Sequence, residues 1–373
     1  MKKIAVAATA LVVTGALALT GCSGAERGGG TEGDGGEEVV GFEEGSTIGV
    51  ALPDKTSENW VLAGQLFKDG LEEAGFEADV QYAPASNTVA EQQNQIQAMV
   101  TGGAKVIIIG AKDGKQLATQ VQAAQDAGAY VIAYDRLIEN TEAVDYYVAF
   151  DNFKVGQLQG NALLEGLEAN AGHEAPYNIE LFSGSPDDAN SAVFFDGAMD
   201  VLQPKIDDGT LVVASGQTEI GQTATEGWLA ENAQNRMDTL ITSTYGGDTV
   251  IDGVLSPNDT LARAILTSVT QAGKPVPVVT GQDSEVESVK SIMEGVQYST
   301  INKDTALLVE QAIKMVGQLQ QGEEAEVNDT EQYDNGAKIV PAFLLEPLIV
   351  TKENAAEAYA NVPSLLEIVE SYK

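Results

Sequence analysis

The sequence predicts an α/β protein built as two doubly wound lobes, each a parallel sheet with helices on both faces, joined by a multi-stranded hinge. Three observations predict it. Short apolar, β-branched runs alternate with amphipathic stretches of helix length, the pattern of a parallel sheet buried on both sides. The alternation pauses near residue 150 and then resumes, and 373 residues are enough for two domains of ordinary size. A helical stretch and a strand after residue 300 have no partners nearby in sequence, so they must join lobes already built.

The elements follow in order. Residues 47–53 (TIGVALP) form a buried strand. Residues 60–74 place Trp60, Leu62, Leu66, Phe67 and Leu71 at helical spacing, and Gly75 closes the helix. A strand at 78–82 leads to a helix at 88–101, ended by Gly102 and Gly103. The apolar run 106–109 (VIII) is a strand, 115–126 a helix closed by Gly128, and 130–134 the next strand. Residues 145–151 (DYYVAFD) alternate and suit a lobe-to-lobe connection. The second set has strands at 178–182, 211–214, 253–255 and 276–280, and helices at 190–202, 223–237, 260–271 and 285–293. The stretch 306–320 is a helix and 338–344 a strand, both standing apart. The expected division is 47–150 with 303–337 in the first lobe and 151–302 with 338–373 in the second.

Ahead of the lobes, Lys2 and Lys3 precede an apolar run that ends in Leu19-Thr20-Gly21-Cys22. A charged start, a short apolar core and a small-residue cleavage site read as a signal peptide over 1–21. Cleavage would leave a thiol at the new N-terminus, where it can be acylated; the pattern resembles the bacterial lipobox. The expectation is an extracytoplasmic protein, lipid-anchored through Cys22 to the outer face of the cell membrane of a single-membrane bacterium. Residues 22–46, rich in Gly and Glu, read as a disordered tether. No later stretch has the ~18 apolar residues of a membrane span.

Composition closes other routes. With Cys22 assigned to lipid no cysteine remains for disulfides, thiolate metal sites or nucleophilic catalysis. The single histidine, His173, sits in a turn, so no histidine triad or multi-histidine metal site is expected. No cofactor is expected either. Twenty basic against 56 acidic residues give a formal charge of −36, a poor surface for nucleic acid.

In open α/β sheets ligands bind beyond the carboxyl ends of the strands, and there polar residues collect in both lobes. Glu58, Asn59 and Trp60 follow the first strand; Asp135 and Arg136 follow the fourth; Asp151 and Asn152 follow the connecting strand, at the hinge. In the second lobe Asp187, Asp188 and Asn190 follow residue 182, Asn258 follows 255, Asp283 follows 280, and Lys303 follows 301. The second tryptophan, Trp228, is on the expected helix 223–237. Each has a plain structural alternative, such as helix capping for Asp188 and Asn190, a structural pair for Asp135 and Arg136, or core packing for Trp228. Their joint occurrence at successive strand ends points instead to a polyhydroxylated ligand. Hydroxyls donate and accept; carboxylates accept, Arg and Lys donate, Asn does both. Tryptophan faces suit the apolar C–H faces of a sugar ring.

The same residues carry a resemblance. Ser57–Trp60 (SENW), 134–138 (YDRLI), 150–152 (FDN), 178–190 (NIELFSGSPDDAN), 195–199 (FDGAM), 281–283 (GQD) and 326–330 (EVNDT) resemble the type I periplasmic sugar-binding proteins of ABC transporters, in the branch of the multiple sugar-binding receptor and the D-xylose-binding proteins. The resemblance spans about 47–351. It implies two Rossmann-like lobes that close on one monosaccharide, an aldopentose or aldohexose, and then dock on a permease as a monomer. It implies hydroxyl-bonding roles for Glu58, Asp135, Arg136, Asn190, Asn258, Asp283 and Lys303, and a stacking or wall role for Trp60 and Trp228. The family pattern usually reads Glu-Arg-Trp where this chain has Glu58-Asn59-Trp60, so a donor is missing and sugar preference is expected to differ.

Two other readings are weighed. A sugar sensor that presents its closed form to a receptor kinase would share every one of these features. A sugar-converting oxidoreductase would need a Gly-x-Gly-x-x-Gly turn after the first strand, where residues 50–54 read VALPD.

Overall fold

The computed structural model describes residues 39–53, 55, 57–84 and 89–373. The signal peptide, Cys22 and residues 23–38 lie outside the described residues.

The first lobe opens with β1 (Thr47–Leu52), α1 (Glu58–Glu73), β2 (Glu77–Tyr82), α2 (Val89–Thr101), β3 (Val106–Ile109), α3 (Ala118–Asp126), β4 (Tyr130–Tyr134) and β5 (Tyr146–Phe150). Helix α4 (Asn152–Asn170) then enters the second lobe, with β6 (Tyr177–Leu181), α5 (Asn190–Asp207), β7 (Leu211–Val213), α6 (Ile220–Thr223), α7 (Ala230–Ser243), β8 (Gly253–Leu255), α8 (Asp259–Gln271), β9 (Val278–Val279), α9 (Val286–Glu294) and β10 (Ser299–Asn302). Helix α10 (Thr305–Gln320) and β11 (Ala342–Leu345) return to the first lobe, and β12 (Leu348–Thr351), α11 (Ala355–Ala358) and α12 (Pro363–Glu370) finish on the second.

The first sheet is six-stranded and parallel throughout, in the order β11-β5-β4-β3-β1-β2. Its central strand β3 is apolar because it is buried on both faces: Ile107 and Ile109 enter one core, Val106 and Ile108 the other. The second sheet is four-stranded and parallel, β7-β6-β8-β9. Strands β10 and β12 form a separate antiparallel pair beside it.

The chain therefore passes between lobes three times, after β5, after β10 and after β11. The first and third passages are tied together, since Asp151 N donates to Leu345 O at 2.9 Å.

Four expectations need correction. The sequence pattern assigns everything from residue 338 to the second lobe; β11 instead pairs in parallel with β5, Ala342 opposite Tyr147, and the chain joins the second lobe only from β12 onward. Residues 39–46, expected in the tether, pack on the first lobe. Val39 and Phe42 join its core, Tyr130 Oη bridges the N–H and C=O of Val40, and Phe42 N donates to Gln320 O. Two apolar side chains within the Gly/Glu-rich run, Val39 and Phe42, and the backbone of Val40 supply that anchor.

The expected helix 223–237 begins only at Ala230. Gly227 (φ 64°) and Trp228 (φ 55°) are both left-handed, which a right-handed helix does not accommodate. Helix α4 has no counterpart among the expected elements. Its interior glycines weaken the helical signal, and two of them, Gly156 and Gly160, face α5. A Cβ on Gly156 would fall 2.0 Å from Phe194 O, and one on Gly197 of α5 would fall 2.1 Å from Phe153 O.

Candidate functional site

The two sheets aim their strand ends at one cavity of about 290 Å³ between the lobes. Asn59, Trp60, Asp135, Arg136, Asn190, Trp228, Asn258, Asp283 and Lys303 line it, nine of the ten residues expected to hold a ligand. The tenth, Glu58, does not. It is the first residue of α1 and is exposed, while its neighbours Ser57 and Asn59 face the cavity.

Trp60 is the third residue of α1, in its first turn, which Ser57 caps through a bond from Asn59 N. Its ring lies edge-on to Tyr134 at 6.1 Å and over Gly110, at the end of β3; a Cβ there would be 2.9 Å from the ring. Trp228 is seated in a similar way on Gly184, beyond β6, where a Cβ would be 2.2 Å from its ring. Each lobe thus uses a strand-end glycine to admit a tryptophan.

Asp135 follows β4 in a left-handed conformation (φ 61°). That turn directs its carbonyl away from the sheet, where Tyr147 Oη (2.6 Å) and Asn190 Nδ2 (2.8 Å) donate to it. Asn190 Oδ1 lies 3.2 Å from the same Tyr147 Oη. Asn190 therefore belongs to the cavity wall and also stitches the second lobe to the first.

The hub of the site is Asp188, part of the 178–190 motif but not expected among the ligand-holding residues. Its Oδ2 lies 3.1 Å from Arg136 Nε and accepts from Trp228 Nε1 at 3.1 Å; its Oδ1 accepts from Asn190 N at 3.0 Å. The Arg136 guanidinium also stands over the Trp60 ring at 5.5 Å and donates to Ala111 O. Facing this group, Lys303 Nζ lies 3.0 Å from Asp283 Oδ1. Asn59 Nδ2 reaches across from the first lobe to Asp283 O at 3.3 Å. The lobes are closed on one another by these contacts.

Asn258 caps α8 through its side-chain oxygen, on Leu261 N. Sequence reasoning also passed over Gln282 and Glu285. Gln282 lines the cavity; its Nε2 donates to Pro257 O at 2.5 Å and its Oε1 is buried without a hydrogen-bond partner. Its position between Gly281 and Asp283, just past a strand, was the available signal. At the hinge, Asp151 caps α4 by accepting from Lys154 N, and buried Asn152 donates to Tyr147 Oη at 3.3 Å.

Charge and burial compete here. Burial raises the Asp135 carboxyl above its ordinary value, against the opposing pull of Lys303 and Arg136. For Lys303 burial alone would lower the pKa, but Asp283 and Asp135 outweigh it and the net shift is upward. Both amino and carboxyl groups are therefore presented to the cavity beside opposite charges.

A small cavity with paired charges, amides and two indole rings is equipped to bind a neutral polyhydroxylated molecule and to exclude water around it. The Periplasmic binding protein domain model matches residues 48–324. The chain is 49% identical to the multiple sugar-binding periplasmic receptor ChvE of Rhizobium radiobacter, over 83% of this chain and 87% of that one. It is 33% identical to the D-xylose-binding periplasmic protein of Escherichia coli, over 82% and 87%. Among solved structures, an ABC transporter solute binding protein from Clostridium phytofermentans with bound β-D-glucose superposes with a TM-score of 0.81 at 42% identity, covering 86% of this chain and all of that one. The chain belongs to the periplasmic binding proteins, in the type I branch that holds these sugar receptors.

Proposed function

We propose that the protein captures one monosaccharide, an aldopentose or aldohexose such as xylose, arabinose, glucose or galactose, and delivers it to an ABC permease. The observation that carries the reading is the cavity itself, closed from both lobes, with Arg136–Asp188 and Lys303–Asp283 facing each other and a tryptophan on each side. Glucose bound in the Clostridium relative, and D-glucose in a Chloroflexus aurantiacus solute binding protein 34% identical to this chain, support it. Closure driven by a ligand that contacts both lobes explains why two lobes are needed. The relatives bind sugars and are receptors rather than enzymes. Titration calorimetry with an aldopentose and aldohexose panel tests the reading; saturable heat is expected with at least one sugar, and no heat with any sinks it.

The family works outside the cytoplasm. The finer placement is that Cys22 is acylated and holds the lobes beside the permease. No helix among the described residues is long and apolar enough to cross a membrane. Replacing Cys22→Ser in the producing cell should release the protein into the medium; full retention in the membrane fraction counts against acylation.

A further inference from the structure

The cavity takes part of its shape from a carboxylate that does not touch it. Asp259 is fully buried in the first turn of α8 and is absent from the cavity lining. Its backbone N donates to Gln282 O at 3.0 Å, and its Oδ2 accepts from Glu285 N at 3.0 Å. These two bonds grip the segment 281–285 at both ends. Oδ2 also accepts from Thr300 Oγ1 (2.9 Å) and Oδ1 from Gln297 Nε2 (2.8 Å). Thr300 Oγ1 in turn accepts from Ser284 N at 3.2 Å, so the network closes around the segment. Gly281 lies so near that a Cβ would meet Oδ1 at 2.1 Å.

Between the two anchors the backbone takes an uncommon course. Asp283 (φ 95°) and Ser284 (φ 52°) are successive left-handed residues, and neither is glycine. Such conformations persist where the surroundings over-determine them. The result is functional. The turn places the Asp283 carboxylate against Lys303, its carbonyl against Asn59 of the opposite lobe, and Gln282 in the cavity wall.

We propose that Asp259 is the positioning residue for this segment and, through it, sets the affinity for sugar; the proposal rests on the sugar-capture reading of the cavity. A purely structural Asp259 would change stability alone. One that shapes the grip changes affinity in protein that is still folded.

The test uses the mature chain and its Asp259→Ala, Asp259→Asn and Thr300→Val variants. D-glucose and D-xylose are titrated by calorimetry and by the fluorescence of Trp60 and Trp228, the two tryptophans of the chain and both in the cavity wall. Thermal unfolding of the empty proteins is followed in parallel. Asp259→Ala strips the acceptor from three buried donors and should weaken binding about tenfold or more. Asp259→Asn keeps a carbonyl oxygen of the same shape and should recover much of the loss. Folded Asp259→Ala with unchanged affinity, or an Asn variant no better than Ala, overturns the proposal. If Asp259→Ala does not fold, Thr300→Val decides: weaker binding supports the role and unchanged binding overturns it. Wild-type protein that binds neither these nor the other aldoses breaks the sugar-capture reading and the inference with it; wild-type binding beside an unaltered variant breaks only the inference.

Discussion

The two walls of the cleft are held by different means. The first lobe stands on a six-stranded parallel sheet sealed by apolar clusters on both faces; its binding groups are Asp135 and Arg136 just past β4 and Asn59 and Trp60 at the start of α1. The second lobe has four short strands, and its interior carries Glu180, Asp252, Asp259, Gln282, Glu285 and Gln297, all buried. Glu180 is representative. Its carboxylate accepts from Ser215 N, Ser215 Oγ and Tyr245 Oη, fixing the chain that leads toward Trp228. Apolar burial is non-directional and strong in sum. It positions an element but does not dictate a loop. Hydrogen bonds are directional, and the second lobe uses them where Trp228, Asp283 and Ser284 depart from ordinary backbone. One wall is stable by packing, the other specific by wiring.

The largest expected effect tests the joint between the walls. Arg136→Ala removes the cation that spans from the first lobe to buried Asp188, leaving that carboxylate with Trp228 and Asn190 alone. Truncating one partner of a buried hydrogen-bonded charge pair costs about 2–5 kcal/mol, so sugar binding should weaken by roughly a hundredfold. Calorimetry reads it. An affinity close to wild type would show that Arg136 is a surface ornament of the first lobe.

Much of this architecture is written in the sequence, and the parts that are not have physical reasons. Strands such as β3 and β4 are legible because burial on both faces leaves a continuous apolar run. Most of the cavity residues are legible because they follow strands. Glu58 misleads because residues on one helix turn face different ways: Asn59 points to the cavity and Glu58 to solvent. Helix α4 is hidden because its glycines serve close tertiary packing, Gly156 and Gly160 against α5 and Gly166 against Val278 and Tyr298, rather than its own stability. Asp259 is hidden because a carboxylate buried by tertiary contacts from residues 285, 297 and 300 looks, in sequence, like any helix-starting aspartate.

A core truncation separates stability from specificity. Ile96 of α2 is fully buried in the first lobe, in the apolar cluster with Ile107 and Val121. Ile96→Ala should cost about 2–5 kcal/mol of folding stability, read by denaturant unfolding. The folded fraction should bind sugar with wild-type affinity. A parallel loss of affinity would mean that the first wall, too, transmits packing to the site.

A smaller effect comes with acid. Burial raises Asp135 in the folded protein. A carboxyl raised in this way favours the folded empty protein at low pH, and that contribution is lost as pH rises through its folded value. A sugar hydroxyl donating to Asp135 favours the ionised form, so binding must weaken as pH falls through the same value, above the ordinary aspartate pKa of about 3.9. Affinity should fall several-fold as pH falls through that raised value, while the melting temperature of the empty protein holds, the charge of −36 being relieved by protonation. A melting temperature that drops together with affinity would place the cause in the fold instead.

The smallest effect concerns Asn59, which stands where the family pattern usually has arginine. Its Nδ2 is engaged across the cleft with Asp283 O at 3.3 Å. That bond joins the two lobes and exists only when they are closed, so it belongs to the bound state and not to the encounter. Asn59→Ala should therefore cost about 0.5–1.5 kcal/mol, the range of a single hydrogen bond. The loss should appear as faster release with an unchanged on-rate, and stopped-flow tryptophan fluorescence separates the two. A slower on-rate at constant release would instead make Asn59 a group that meets the sugar first, and the packed wall, not the wired one, would then own the latch.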